Sequence, residues 1–251
     1  MSSLRRAFRA ACFLRADIYR DTIQIEECPS PPLSPLSLKN VPYVRKIPAW
    51  PQTAGNEEEL QFYLLKDMFQ NDKADGRFKD RFIYSCLLQG KPVVVKFTYR
   101  YSPELHHFCA ERGHAPKLLG YGTVPGGWTV VVMEFVAHGS DVVSLASRYW
   151  TRWNEDLTGL VQSFHDKGLV HGDLRDSNFI IPRDDPRRIV LVDFDWGGEV
   201  GKAYFPTTLL SAELTGGATL TSRAITKELD DRVLRASLEK WRPGEAMVED
   251  S

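Results

Sequence analysis

Two neighbouring stretches decide the fold: Val170-His171-Gly172-Asp173-Leu174-Arg175-Asp176-Ser177-Asn178, and Ile189-Val190-Leu191-Val192-Asp193-Phe194-Asp195. The first follows apolar residues at helical spacing, Val142, Leu145, Tyr149, Trp153, Leu157, Leu160, Val161 and Phe164, which predict a long buried helix reaching Lys167. The second is an apolar strand that ends in an acid. Asp173 and Asn178 therefore share one loop, and Asp193 sits at a strand terminus. Such carboxylate and amide oxygens are the hard donors Mg²⁺ takes from protein, usually in small number. Plainer roles exist for some neighbours: His171 as a packed, hydrogen-bonded ring, and Asp195 as a cap on the turn Trp196-Gly197-Gly198.

Working toward the N-terminus, Arg81–Leu88 and Pro92–Phe97 read as a β-hairpin about Gln89-Gly90-Lys91. Ser102-Pro103-Glu104 supplies an N-cap, a first-turn proline and a first-turn acid, so a helix should run to about Arg112 before Gly113 and Pro116. Leu118–Tyr121 and Trp128–Phe135 form a second β pair, and Val136–Gly139 a short connection. Earlier, Leu60, Tyr63, Leu64 and Met68 suit one face of a helix over Glu57–Phe69. Downstream, Phe179–Ile181 and Ile189–Val192 are short strands, and Lys227–Lys240 is a closing helix with Leu229, Val233, Leu234 and Leu238 inward. The order predicts an α+β chain with a β-rich half followed by a mostly helical half.

Composition sets the frame for that reading. The chain has 251 residues, 43% of them hydrophobic and 26% charged, with a formal net charge of −1. That length suits one two-part domain, and the charge balance gives no reason to expect nucleic-acid or membrane binding. No apolar run approaches the roughly 18 residues needed to cross a bilayer. Cys12, Cys28, Cys86 and Cys109 are scattered without metal-ligand spacing and read as reduced intracellular thiols. Arg5, Arg6, Arg9, Arg15 and Arg20 punctuate an apolar N-terminus, which reads either as a basic amphipathic helix or as a mitochondrial address. A cytoplasmic or nuclear location is the expectation otherwise. Prolines between Pro29 and Pro51 predict an extended linker, with Pro32 and Pro35 at the spacing of a ligand for a proline-recognition module. The expected divisions are 1–55 for the basic segment and linker, 56–136 for the β-rich lobe, 137–242 for the helical lobe, and 243–251 for an acidic tail.

The pattern H-x-D-L-x-x-x-N followed by D-F-x resembles the catalytic and metal loops of protein kinases. The wording VVVKFTYRYSPELHH, APKLLGYG, HGDLRDSN and VDFDWGG is similar to that of short fungal kinase-like proteins. This resemblance implies a two-lobed protein-kinase-like fold with a small β-rich N-lobe and a truncated, mainly helical C-lobe. It implies ATP and Mg²⁺ as cofactors, and a hydroxyl of a protein or small molecule as acceptor. Asp173 would orient that hydroxyl, Asn178 and Asp193 would hold the metal, and Arg175 would face the transferring phosphoryl group. Lys96 would grip the α/β-phosphates. Met133, Glu134 and Val136 would form the adenine-reading connection. Glu104, or else Glu111, would pair with Lys96. Read alone, Lys96 is instead an exposed edge-strand lysine, and Glu104 a first-turn acid favoured by the helix dipole.

The chain also departs from that family. No G-x-G-x-x-G is present, with only Gly76 and Gly90 in the expected region. Gly172 stands where many regulated protein kinases carry an arginine that pairs with an activation-loop phosphate, so switching by such phosphorylation is not expected. H-G-D and D-F-D resemble aminoglycoside- and choline-kinase-like enzymes. No A-P-E appears, and only 58 residues follow Asp193, so acceptor recognition is expected to be abbreviated, borrowed from a partner or lost. Three readings follow: a protein phosphotransferase, a small-molecule kinase, and a pseudokinase serving as a nucleotide-binding or interaction module.

Overall fold

The computed structural model describes residues 46–51, 59–61, 63–67, 82–124, 127–138, 142–207, 210–215 and 222–243. The basic N-terminus, the prolines before Pro48 and the acidic tail after Pro243 lie outside these residues, as do Gly76 and Met68. The chain divides into two compact units, Met1–Tyr99 with Leu119–Met133, and Arg100–Leu118 with Glu134–Ser251. Among the described residues no helix is long and apolar enough to cross a membrane.

The first unit is built on strands β1 (Lys46–Pro48), β2 (Glu59–Gln61), β3 (Tyr63–Asp67), β4 (Ile83–Leu88), β5 (Lys91–Thr98), β6 (Leu118–Val124) and β7 (Trp128–Glu134), the last two extending to its boundary. Strands β3 to β7 form one sheet in the order β3-β4-β5-β7-β6, and β1 pairs with β2. Alternate residues bury one sheet face: Tyr84 and Cys86, then Val93, Val95 and Phe97, then Trp128, Val130 and Val132. Ile47 and Leu60 join this core. Gly120 admits them, since a Cβ there would lie 2.7 Å from Leu60 Cδ1 and 2.9 Å from Ile47 Cδ1. The hairpin turn between β4 and β5 uses Gln89 (φ 49°) and Gly90 (φ 77°), so Gly90 serves this turn.

Two expectations are corrected here. Glu57–Phe69 does not give a helix; its described residues form β2 and β3, with β3 pairing antiparallel to β4 around a bulge between Leu64 and Lys66. Tyr63 is a residue type that favours strands, and ladder pairing overrides a short apolar stripe. Lys46–Pro48, within the stretch read as linker, is a strand, and Trp50 N–H donates to Leu119 O at 2.9 Å.

The second unit holds helices α1 (Pro103–Glu111), α2 (Val142–Asp166), α3 (Ala212–Thr215) and α4 (Lys227–Trp241). Between α2 and α3 lie β8 (Leu169–Val170), β9 (Phe179–Ile180), β10 (Val190–Leu191) and β11 (Gly198–Glu199), pairing β8 with β11 and β9 with β10. Helix α1 starts as its sequence predicts: Ser102 Oγ accepts from Leu105 N–H, and Gly113 ends the helix at φ 78°. The core takes Trp153, Leu157, Leu160, Val161 and Phe164 from α2 and Val233, Leu234 and Leu238 from α4. Each such burial contributes about 1.5–3 kcal/mol relative to exposure. Leu105 and Cys109 of α1 enter the same core, which explains why Arg100–Leu118 clusters with the helical unit although it falls inside the expected 56–136 lobe. Burial pushes the Cys109 thiol up to about 12.

Candidate active site

Asp173 lies on the loop between β8 and β9 and is buried at 6% exposure. Its carboxylate is held by one guanidinium: Arg175 Nε donates to Oδ1 at 2.5 Å and Nη2 donates to Oδ2 at 2.8 Å. Such a two-point fork fixes the plane of the carboxylate as well as its charge. Hydrogen bonding to Asp173 is the main reason the Arg175 guanidinium is raised above its ordinary value, against desolvation, with Asp173, Glu213 and Asp193 adding favourable charge.

Asn178 closes a one-turn 3₁₀ helix, Asp176–Asn178, and is buried. Its amide nitrogen donates back to Asp173 O at 2.9 Å, which identifies the amide oxygen as the acceptor end of the side chain. Its backbone carbonyl accepts from Val192 N–H at 2.9 Å, so the residue before Asp193 is pinned to Asn178. Asp193 itself adopts φ 69°. A left-handed non-glycine residue is uncommon and costs energy, and such conformations gather at functional sites. Asp173, Arg175, Asn178 and Asp193 thus come together within the helical unit. Among the described residues no three His, Cys, Asp or Glu side chains form a metal-binding group. The Asn178 amide oxygen and the Asp193 carboxylate are hard donors in the small number that suits Mg²⁺ with water completing its shell.

His171 is fully buried, and its Nδ1 accepts from Asp173 N–H at 3.1 Å. Its ring lies edge-on to Phe194 at 5.2 Å. Phe194 also stacks on His106 of α1 at 4.6 Å, and its carbonyl accepts from Ser102 N–H at 3.1 Å. His171 therefore has the packing and hydrogen-bonding role of its plainer reading. Asp195 follows, half-buried.

Three contributors escaped the sequence reading. Asp230 of α4 is 1% exposed and accepts the His171 N–H at 2.6 Å and the Gly172 N–H at 2.7 Å. It opens the buried stripe Asp230, Val233, Leu234, Ser237, Leu238 and Trp241, and a carboxylate on such a stripe signals donors nearby. Glu213 of α3 brings Oε2 within 3.7 Å of Arg175 Nη1. Ile225 occupies the space beside Gly172: a Cβ there would sit 2.6 Å from Ile225 Cδ1, and Gly172 has φ 83°. Ile225 belongs to an apolar cluster with Val170, Ala203 and Phe205, so hydrocarbon packing fills the space beside Gly172.

Lys96 and Met133 belong to the β-rich unit. Lys96 sits on β5, the middle strand of the sheet, and is 7% exposed, which rules out the exposed edge-strand reading. Met133 is buried at the end of β7. Glu134 is exposed, Val136 half-buried, and the connection after β7 runs along the helical unit, where Ala137 O accepts from Arg183 N–H at 2.8 Å. Glu104 is exposed in the first turn of α1, and Glu111 lies 3.6 Å from His107.

The sequence matches no protein-family profile and no curated protein sequence. The fold does have counterparts among solved structures. The Cydia pomonella granulovirus kinase PK-1 superposes with a TM-score of 0.52 at 14% identity, over 75% of this chain and 72% of that one. The vaccinia related kinase 3 structure superposes with a TM-score of 0.51 at 10% identity, over 93% of this chain and 74% of that one. The chain has a protein-kinase-like fold, a β-sheet-rich N-terminal part followed by a mainly helical C-terminal part.

Proposed function

We propose that this chain is an ATP-dependent phosphotransferase that transfers the γ-phosphate to a Ser, Thr or Tyr hydroxyl of a protein. The observation that carries the reading is the constellation of buried Asp173, its Arg175 fork, and Asn178 tied to the residue before Asp193. Phosphoryl transfer asks a protein mainly for positioning and charge, and these groups provide both. Mg·ATP, when bound, supplies the phosphoryl group and neutralises part of its charge. Asn178 and Asp193 are the residues that would hold the metal. Asp173 accepts a hydrogen bond from the acceptor hydroxyl and aims its oxygen, needing no unusual basicity for that task. Arg175 keeps that carboxylate in plane and adds positive charge beside it. Lys96 is assigned to the phosphates, and Met133, Glu134 and Val136 to the adenine, by the resemblance of their strands.

A second reading, a kinase of small alcohols, is favoured by Gly172 and the apolar packing of Ile225 against it. Labelled γ-phosphate offered with protein and with small alcohols separates the two. Asp173→Asn should lower transfer about 10³-fold while Mg·ATP affinity stays within twofold. ATP binding without transfer to either acceptor class would identify a pseudokinase. A folded chain that binds no Mg·ATP would overturn the proposal.

A further inference from the structure

We propose that Glu213 is a positioning residue for the transfer reaction, acting through Arg175; the proposal rests on the phosphotransferase reading above. Glu213 divides its two oxygens between two cations. Oε2 faces Arg175 Nη1 at 3.7 Å, and Oε1 accepts from Lys240 Nζ at 3.1 Å. Lys240, near the end of α4, also reaches Asp176 Oδ1 and Oδ2 at 3.4 Å each. The result is a continuous chain of alternating charge, Asp173–Arg175–Glu213–Lys240–Asp176, which leaves the catalytic loop, crosses α3 and α4, and returns to the same loop.

The nitrogens of Arg175 are allocated within this chain. Nε and Nη2 are committed to Asp173, and Nη1 faces Glu213. A planar guanidinium cannot turn Nη1 toward one carboxylate without setting where its other two donors point. Glu213 thus fixes the third corner of the plane that orients Asp173. The Arg175 side chain is long-stemmed and 24% exposed, so the Glu213 contact adds a restraint beyond the two bonds that Asp173 supplies. Glu213 also comes from the segment downstream of the metal loop, and its neighbour Leu214 is buried in the core of the helical unit. The geometry of the catalytic carboxylate is therefore referred to a core-anchored helix as well as to its own loop.

A double-mutant cycle tests this. Glu213→Gln should lower kcat about tenfold in γ-phosphate transfer, with the Mg·ATP dissociation constant within twofold and the melting temperature unchanged. In an Arg175→Met background the same substitution should cost nothing further. A tenfold loss that persists without Arg175 would overturn the proposal, because Glu213 would then act by itself. So would an unchanged kcat, a rise in acceptor KM alone, or a loss that tracks a lowered melting temperature. A wild-type chain that binds Mg·ATP but transfers nothing removes the underlying reading and this proposal together. A wild type that transfers, with an indifferent Glu213→Gln, removes this proposal only.

Discussion

Lys96 and Asp173 are both buried charged side chains, and the protein holds them by different means. Lys96 stands on the middle strand of a sheet whose shape is set by hydrocarbon: Val93, Val95 and Phe97 bury one face, and strand alternation directs Lys96 to the other. Asp173 stands on a loop with almost no regular structure of its own. It is held by polar contacts from Arg175, Asn178 and His171, and the loop backbone beside it is anchored to Asp230, some 58 residues further along the chain. One site is held by a repeating ladder and the other by individually placed hydrogen bonds. The strand backbone under Lys96 should keep its ladder when that side chain is replaced; the loop under Asp173 should not tolerate loss of its braces.

The largest effect is expected at Asp230. Asp230→Ala removes the acceptor of two buried N–H groups, His171 and Gly172, and should destabilise the helical unit by about 3–5 kcal/mol, read by chemical denaturation. Transfer activity should fall with it. If Asp230→Ala melts like the wild type, the loop is not braced as described. Gly172→Ala comes next. It places a methyl group 2.6 Å from Ile225 Cδ1 at a left-handed φ of 83°, at a cost of about 2 kcal/mol. Adding Ile225→Val, which removes that terminal carbon, should return part of the loss and leave the backbone strain. The smallest change in stability is expected for Lys96→Met, within about 1 kcal/mol, because Met keeps the length of the lysine stem and the apolar face of Val93, Val95 and Phe97 is untouched. Its kcat/KM should nevertheless fall about 10²-fold. Equal destabilisation by Lys96→Met and Asp230→Ala would erase the contrast between the two regions.

The same contrast explains what was legible in the sequence. Strands β4 to β7, α1, α2 and α4 could be read because period-2 and period-3.6 burial and the caps at Ser102 and Gly113 are local signals. The loop residues Asp173, Asn178 and Asp193 could be placed because they are close in sequence. Asp230, Glu213 and Ile225 could not, since their partners lie between 38 and 59 residues away and no local spacing encodes such a meeting. The helix expected over Glu57–Phe69 failed for the same reason. Its strands are decided by pairing with β4 across a long connection, and not by its own periodicity.

The packing of Ile225 against Gly172 also limits what position 172 can hold. An arginine at position 172 is not accommodated by this packing, because the space its Cβ needs is already filled. Position 225 would have to shrink first, and by itself that change leaves a void among Val170, Ala203 and Phe205. Each single substitution costs packing although the two together need not, so the two positions are coupled through one small apolar cluster.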